Sequence, residues 1–271
     1  MIIDSQVHIW PPHRADRPLG EAGLDRTPFS YQELVAAMDA AGVDRAIVVP
    51  PSFDADRNDY VSEAVQRHPD RFAIMGRLPL RDGGRNLAQW TSQPGMLGVR
   101  LTFHRDADRP WIDDGTADWF WGVAEERRIP VMVHAPERLA TVGKIAERHP
   151  ALTIIVDHMG FARATMDDET IAGADRIIAL ARYPNVSVKV SAMPCFSTAP
   201  YPFRNLREPL RRVIAAFGPR RAFWGSDITR VPASCSYRRT VTHFTEELDF
   251  LSAGDLEWIM GRALADCLGW R

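Results

Sequence analysis

Short apolar runs rich in β-branched residues alternate with longer amphipathic segments along the whole chain. The runs at 1–4, 45–50, 72–78, 96–103, 129–134, 152–158, 185–191 and 222–227 predict strands. The segments at 31–41, 59–68, 85–91, 117–128, 136–149, 171–183, 203–217 and 238–251 predict helices. In 254–268, Leu256, Ile259, Met260, Leu264 and Cys267 recur at helical spacing and predict a closing helix. Regular alternation argues for parallel βαβ units, and nearly all-apolar runs suit strands buried on both faces. Eight such units favour a closed barrel over an open sheet. An open doubly wound sheet commonly carries a Gly-rich turn after its first strand, whereas residues 5–12 contain no glycine. The expected architecture is an α/β fold, a single-domain (β/α)8 TIM barrel with a closing C-terminal helix, spanning 1–271.

Polar residues sit where these runs stop. Gln6 and His8 follow the first, and His134, His158 and Asp227 end the fifth, sixth and eighth. In a parallel β/α barrel, catalytic side chains come from the C-terminal ends of different strands. Residues far apart in sequence would then converge on one mouth. Side chains alternate along a strand, so Gln6 and His8 share a face with Asp4, and Arg100, Thr102 and His104 share one on the fourth strand. Lys189 lies in a valine-rich strand, where a buried charge needs a partner. An anionic ligand in the barrel would supply it, and a structural ion pair is the alternative.

Composition narrows the classes. Hydrophobic residues make up 45% and charged residues 25%, with a net charge of -2, so no basic face for nucleic acid or a membrane surface is indicated. No apolar run approaches the roughly 20 residues that span a bilayer. The chain starts on a strand-like run without a secretory pattern, which is the reading of a cytoplasmic protein. Cys195, Cys235 and Cys267 are an odd number without metal-ligand spacing, so isolated thiols are expected.

Several motifs fall in order along the chain. Residues 3–10 resemble an Asp-x-His-x-His-x-aromatic first strand, with Asp4, His8 and Trp10 in place. The block at 156–160, with Asp157, His158 and Gly160, is similar to a sixth-strand Asp-His-x-Gly motif. Gly225, Ser226 and Asp227 are similar to an eighth-strand Gly-Ser-Asp block, and residues 259–264 resemble a closing helix. Together they resemble the amidohydrolase superfamily over essentially the whole chain, nearest to the amidohydrolase-2 branch that contains lactone hydrolases. There is one departure: Gln6 stands where the first histidine of the pair belongs. In metal-dependent members that pair helps hold a divalent ion, and His134 matches a further ligand position. Other members of the branch work without metal. A glutamine oxygen is a poor substitute for imidazole toward zinc. The resemblance therefore leaves two cases open. In one, a single zinc or manganese ion is held by His8, His134 and Asp227 with Gln6 or His158. In the other there is no metal. No organic cofactor is implied.

The activity that the resemblance implies is hydrolysis of a carboxylated or sugar-acid lactone. Asp227 would act as general base on water. His8, His158 and Gln6 would point N–H groups at the carbonyl oxygen as charge develops there. Arg100, Lys189 and Arg77 are candidates for a substrate carboxylate, and Trp10, His104 and Tyr237, with Arg230, for lining the mouth. The expected partner is a small anionic or polyhydroxylated substrate, with oligomeric state open. A metal-dependent decarboxylase of an aromatic or muconic-type acid is the competing enzyme, and Gln6 speaks against it. A non-catalytic binding barrel is the third reading, and Asp227 speaks against that.

Overall fold

The computed structural model describes residues 1–82, 87–232 and 235–270. Eight strands form one sheet in sequence order: β1 (Ile3–Val7), β2 (Arg45–Val48), β3 (Phe72–Gly76), β4 (Met96–Thr102), β5 (Val131–His134), β6 (Ile154–Val156), β7 (Val186–Ser191) and β8 (Ala222–Gly225). Every adjacent pair is parallel. At the seam between β8 and β1, the Asp227 N–H donates to the Gln6 carbonyl at 2.9 Å. The expected eight-fold barrel is present and nearly closed.

Boundaries moved where polar residues are buried. The first strand runs through Ser5 and Gln6 to Val7 instead of stopping at residue 4, with both polar residues buried and the Gln6 side chain held by Lys189 Nζ at 2.7 Å. The helix Tyr31–Ala41 matches its prediction. Ser30 and Glu33 close a capping box at its start, and Gly42 takes a left-handed φ of 75° after its end. The predicted helix at 238–251 is shorter, Tyr237–Thr245. Of the predicted helix at 85–91, residues 85 and 86 lie outside the described residues, and Leu87–Ser92 forms tight turns. The closing segment is helical over Ala253–Glu257 and Ala263–Leu268, with one wide turn between.

Two apolar layers hold the barrel. Outside the strands, their outward side chains pack on the helices. Inside, Ile47, Met75, Met132, Ile155 and Phe223 fill the interior with Ile3 and join Ala263, Leu264 and Leu268 of the closing segment. Each such side chain contributes about 1.5–3 kcal/mol by leaving water. The closing segment seats against the start of β1, where a Cβ on Gly261 would lie 2.8 Å from the Met1 carbonyl oxygen. It therefore covers the N-terminal end of the barrel and leaves the C-terminal mouth for chemistry.

One buried histidine lies away from that mouth. His243 packs its ring 5.5 Å from those of Phe203 and Phe244, and neither ring nitrogen has a hydrogen-bond partner among the described residues. Burial pushes its pKa down to about 4. Between pH 6.5 and about 4 the unfolded chain takes up a proton that the folded chain refuses. Its contribution to stability is therefore complete above pH 6.5 and falls away as the pH drops toward 4. His243→Leu removes this liability. The unfolding free energy lost between pH 7.5 and 4.5 should shrink by about 2–3 kcal/mol in the variant, measured by urea unfolding at both pH values. An equal acid loss in both proteins would refute the assignment.

Candidate active site

A cavity of about 190 Å³ opens at the C-terminal mouth. Its walls include His8, His134, His158 and Asp227 from the strand ends, Arg100 and His104 from the β4 side, and Trp10, Phe53 and Arg230 from loops. Sharp turns aim several of these side chains. His158, Met159 and Asp227 adopt φ values of 53°, 54° and 50°. Left-handed backbone is uncommon for residues other than glycine and persists only where the surroundings enforce it. At the β8 exit the packing is close: a Cβ on Gly225 would lie 2.5 Å from Ser5 Oγ and 3.1 Å from Ser191 Cβ, and the Asp227 N–H is tied to the Gln6 carbonyl at 2.9 Å.

Asp227 is fully buried, and neither carboxylate oxygen has a hydrogen-bond partner among the described residues. His8 Nε2 lies 3.6 Å from its Oδ1 and His158 Nε2 3.6 Å from its Oδ2, while Arg230 Nη1 stands 3.5 Å from Oδ2. A buried carboxylate is ordinarily saturated with donors. This one borders the cavity instead.

The tautomers follow from the partners. His8 Nδ1 lies 2.7 Å from the Val49 carbonyl oxygen, which only accepts, so that nitrogen carries the proton. Burial then brings its pKa down to about 4, against the opposing pull of Asp227. The Nε2 lone pair is taken up by the Gln6 amide nitrogen at 3.2 Å. Gln6 cannot turn its amide round, because Lys189 Nζ, a donor only, sits 2.7 Å from Oε1. At His158 the Ser191 hydroxyl is 2.8 Å from Nδ1. Donation by that hydroxyl leaves an Nε2–H pointing at Asp227 and the cavity. Burial, with Arg230 next, holds His158 well below its ordinary range, and burial with Arg100 does the same to His134. Burial takes His104 down to about 3. The four imidazoles are neutral at pH 7.

Three expected substrate contacts lie elsewhere. Lys189 is fully buried under the cavity floor in an ion pair with Asp157 at 2.9 Å. The register Val156↔Val188 makes the two neighbours. Burial alone would raise Asp157, but Lys189 and Arg100 outweigh it and hold the carboxyl at about 2. Arg77 is also buried, donating through Nε to the Ala55 carbonyl oxygen at 2.8 Å and through Nη1 to Thr102 Oγ1 at 3.1 Å. Tyr237 donates its hydroxyl to Asp4 Oδ2 at 2.7 Å. Each of these groups already has a protein partner. Arg100 does reach the cavity wall, with Nε 3.1 Å from Asp157 Oδ2, and Trp10 and His104 line it as expected. Arg26, Arg105 and Arg163 also line it and were not anticipated. They stand in irregular loops, where no periodicity marks a direction.

A model of the family described as amidohydrolase matches residues 3–264. The chain belongs to the amidohydrolase family. Relatives of this amidohydrolase include an L-fucono-1,5-lactonase of Burkholderia ambifaria, 27% identical over 83% of this chain and 79% of the relative. A 4-sulfomuconolactone hydrolase of Hydrogenophaga intermedia is 26% identical over 83% of this chain and 73% of the relative. An amidohydrolase of Burkholderia multivorans with bound zinc has the same fold, with a TM-score of 0.80, 23% identity and 99% of both chains covered. A divalent metal is thus compatible with this family and fold.

In this amidohydrolase several candidate donor atoms already have protein partners. The His8 lone pair is used by Gln6, the Gln6 oxygen is used by Lys189, and Arg100 and Arg230 border the same space. Among the described residues, no group of three or more His, Cys, Asp or Glu side chains is arranged to hold a metal ion. These residues do not fit a divalent ion bound through His8 and Gln6.

Proposed function

We propose that this protein opens a lactone by metal-independent hydrolysis, with Asp227 as general base. One observation carries the reading: a buried carboxylate without a hydrogen bond among the described residues faces a cavity between two neutral imidazoles. The lactonase activities named for its relatives agree with it.

Asp227 takes a proton from a water molecule, and the oxygen of that water adds to the lactone carbonyl. The His158 Nε2–H donates to the carbonyl oxygen as it becomes an oxyanion, with Arg230 adding positive potential beside it. The tetrahedral species collapses by breaking the ring C–O bond, and the Asp227 carboxyl returns its proton to the departing ring oxygen. Ring opening leaves a hydroxy acid, whose ionisation releases one proton. Both ring nitrogens of His8 are engaged by Val49 and Gln6, so His8 serves as a fixed wall of the cavity beside Asp227. Carbonyl polarisation then falls to His158.

Proton release is measured on carboxylated pyrones, muconolactones and aldonic lactones, with and without a strong chelator. The expected rate is unchanged by chelator and by added zinc or manganese. Activity abolished by chelator and restored by metal would overturn the metal-independent reading. Carbon dioxide release from an aromatic acid, without ring opening of any lactone, would overturn the hydrolase reading.

A further inference from the structure

Ser191 ends β7 and is fully buried, with its hydroxyl oxygen 2.8 Å from His158 Nδ1. On the other side of the same ring, Nε2 stands 3.6 Å from Asp227 Oδ2. Hydroxyl, imidazole and carboxylate follow one another, and these are the three residue types of a nucleophilic serine triad. Here the order is inverted. His158 and Asp227 border the cavity, whereas Ser191 is not among the residues that line it. Ser191 is paired with Gly225 of β8 and has no access to substrate. Its hydroxyl is therefore no nucleophile and can act only through His158.

Two independent constraints place the proton on that ring. A hydroxyl can donate or accept. Among the described residues, His158 Nδ1 is the only hydrogen-bond partner of Ser191 Oγ. A proton on Nδ1 would leave the buried hydroxyl hydrogen without an acceptor, and an unmade buried hydrogen bond is costly. It would also turn the Nε2 lone pair toward the Asp227 carboxylate, where negative charge repels it. Donation from the hydroxyl to Nδ1 removes both faults and leaves Nε2–H facing Asp227 and the cavity. The ring itself is confined, with His134 packed edge-to-face against it at a centroid separation of 5.4 Å.

We infer that Ser191 is a positioning residue, whose buried hydroxyl sets the tautomer and orientation of His158 so that Nε2 presents a proton to the lactone carbonyl oxygen. The reverse tautomer would present a lone pair to the developing oxyanion and oppose the reaction. The consequence for rate rests on the hydrolytic reading, whereas the tautomer is read without turnover.

The tautomer is measured at neutral pH on the full chain carrying isotope-labelled histidine, by long-range proton–nitrogen correlation, with His158→Gln identifying the resonances. The expected pattern is an unprotonated Nδ1 and a protonated Nε2. A protonated Nδ1 would overturn the inference, and this reading needs no change at Ser191. In lactone opening, Ser191→Ala should lower kcat by about tenfold with KM within about twofold, since the hydroxyl acts where charge develops. Ser191→Thr keeps a hydroxyl and should return kcat to within about threefold of the parent. An unchanged kcat in Ser191→Ala, or no recovery in a folded Ser191→Thr, would overturn the positioning role. A fluorophosphonate that labels nucleophilic serines should leave Ser191 unmodified and the rate unchanged. Labelling at Ser191 would make it a nucleophile and overturn the role assigned here. The expected tautomer without opening of any lactone would leave the hold of Ser191 on His158 standing and overturn the hydrolase reading.

Discussion

Asp227→Asn should lower kcat for lactone opening by roughly 10³-fold or more, near the upper range for loss of a positioned general base. The amide keeps the shape of the side chain but cannot take the proton of water. Stability should move the other way. The carboxylate is fully buried and both its oxygens are without hydrogen bonds among the described residues. A neutral amide of equal size loses less on leaving water. The thermal midpoint of the variant should therefore equal or exceed that of the parent. Circular dichroism melts and single-turnover kinetics on one preparation test both halves. A rate within threefold of the parent would remove Asp227 from the mechanism. A large fall in both rate and midpoint would make its role structural.

The second large effect is on stability. Lys189→Met should cost about 3–5 kcal/mol, the range for removing one partner of a buried ion pair. The ammonium is fully buried, 2.9 Å from Asp157, and it donates to Gln6 at 2.7 Å. The variant leaves Asp157 with Arg100 alone and frees the Gln6 amide to rotate. Two readouts separate these consequences. Urea unfolding reports the lost ion pair. Zinc titration of the folded variant reports whether the Gln6 oxygen, once released, turns toward His8 and helps to hold a metal. The expected result is measurable zinc binding in Lys189→Met and markedly weaker binding in the parent. Zinc binding that is equally tight in both would show that Lys189 does not set the orientation of Gln6.

The same lysine shows what the sequence could and could not convey. Its place in a valine run marked it as a charge needing a partner, and that was right. The partner depended on register: pairing of β6 with β7 sets Asp157 beside it, and a single sequence does not fix register. Tyr237 and Arg77 were misplaced for a related reason. Arg77 follows the end of β3 and Tyr237 opens the helix after the β8 loop, but Asp4, the Ala55 carbonyl and Thr102 take up their polar atoms. The strands themselves were legible because burial on both faces leaves nearly continuous apolar runs. The helix Tyr31–Ala41 was legible to the residue because its cap and its terminal glycine are written locally. The convergence of His8, His134, His158 and Asp227 on one mouth followed from barrel topology once the strands were found. The orientation of the Gln6 amide depends on an atom 183 positions away along the chain, and the loop arginines carry no periodic signal.

Asp4 ties the two ends of the barrel together. It accepts from the Ser226 backbone N–H at 2.9 Å, from the Ser226 hydroxyl and from Tyr237. The sequence separations are 222 and 233 residues. Contacts this distant in sequence form late in folding, because a long loop must close before they are made. On the ribosome, β1 therefore waits for nearly the whole chain before its partner at the seam emerges, and its apolar edge is open to wrong pairing during that time. The residue proposed as the base lies on the last strand to arrive, so catalytic competence becomes a direct reporter of ring closure. Partly folded chains with seven strands assembled would have most of the core and none of the activity.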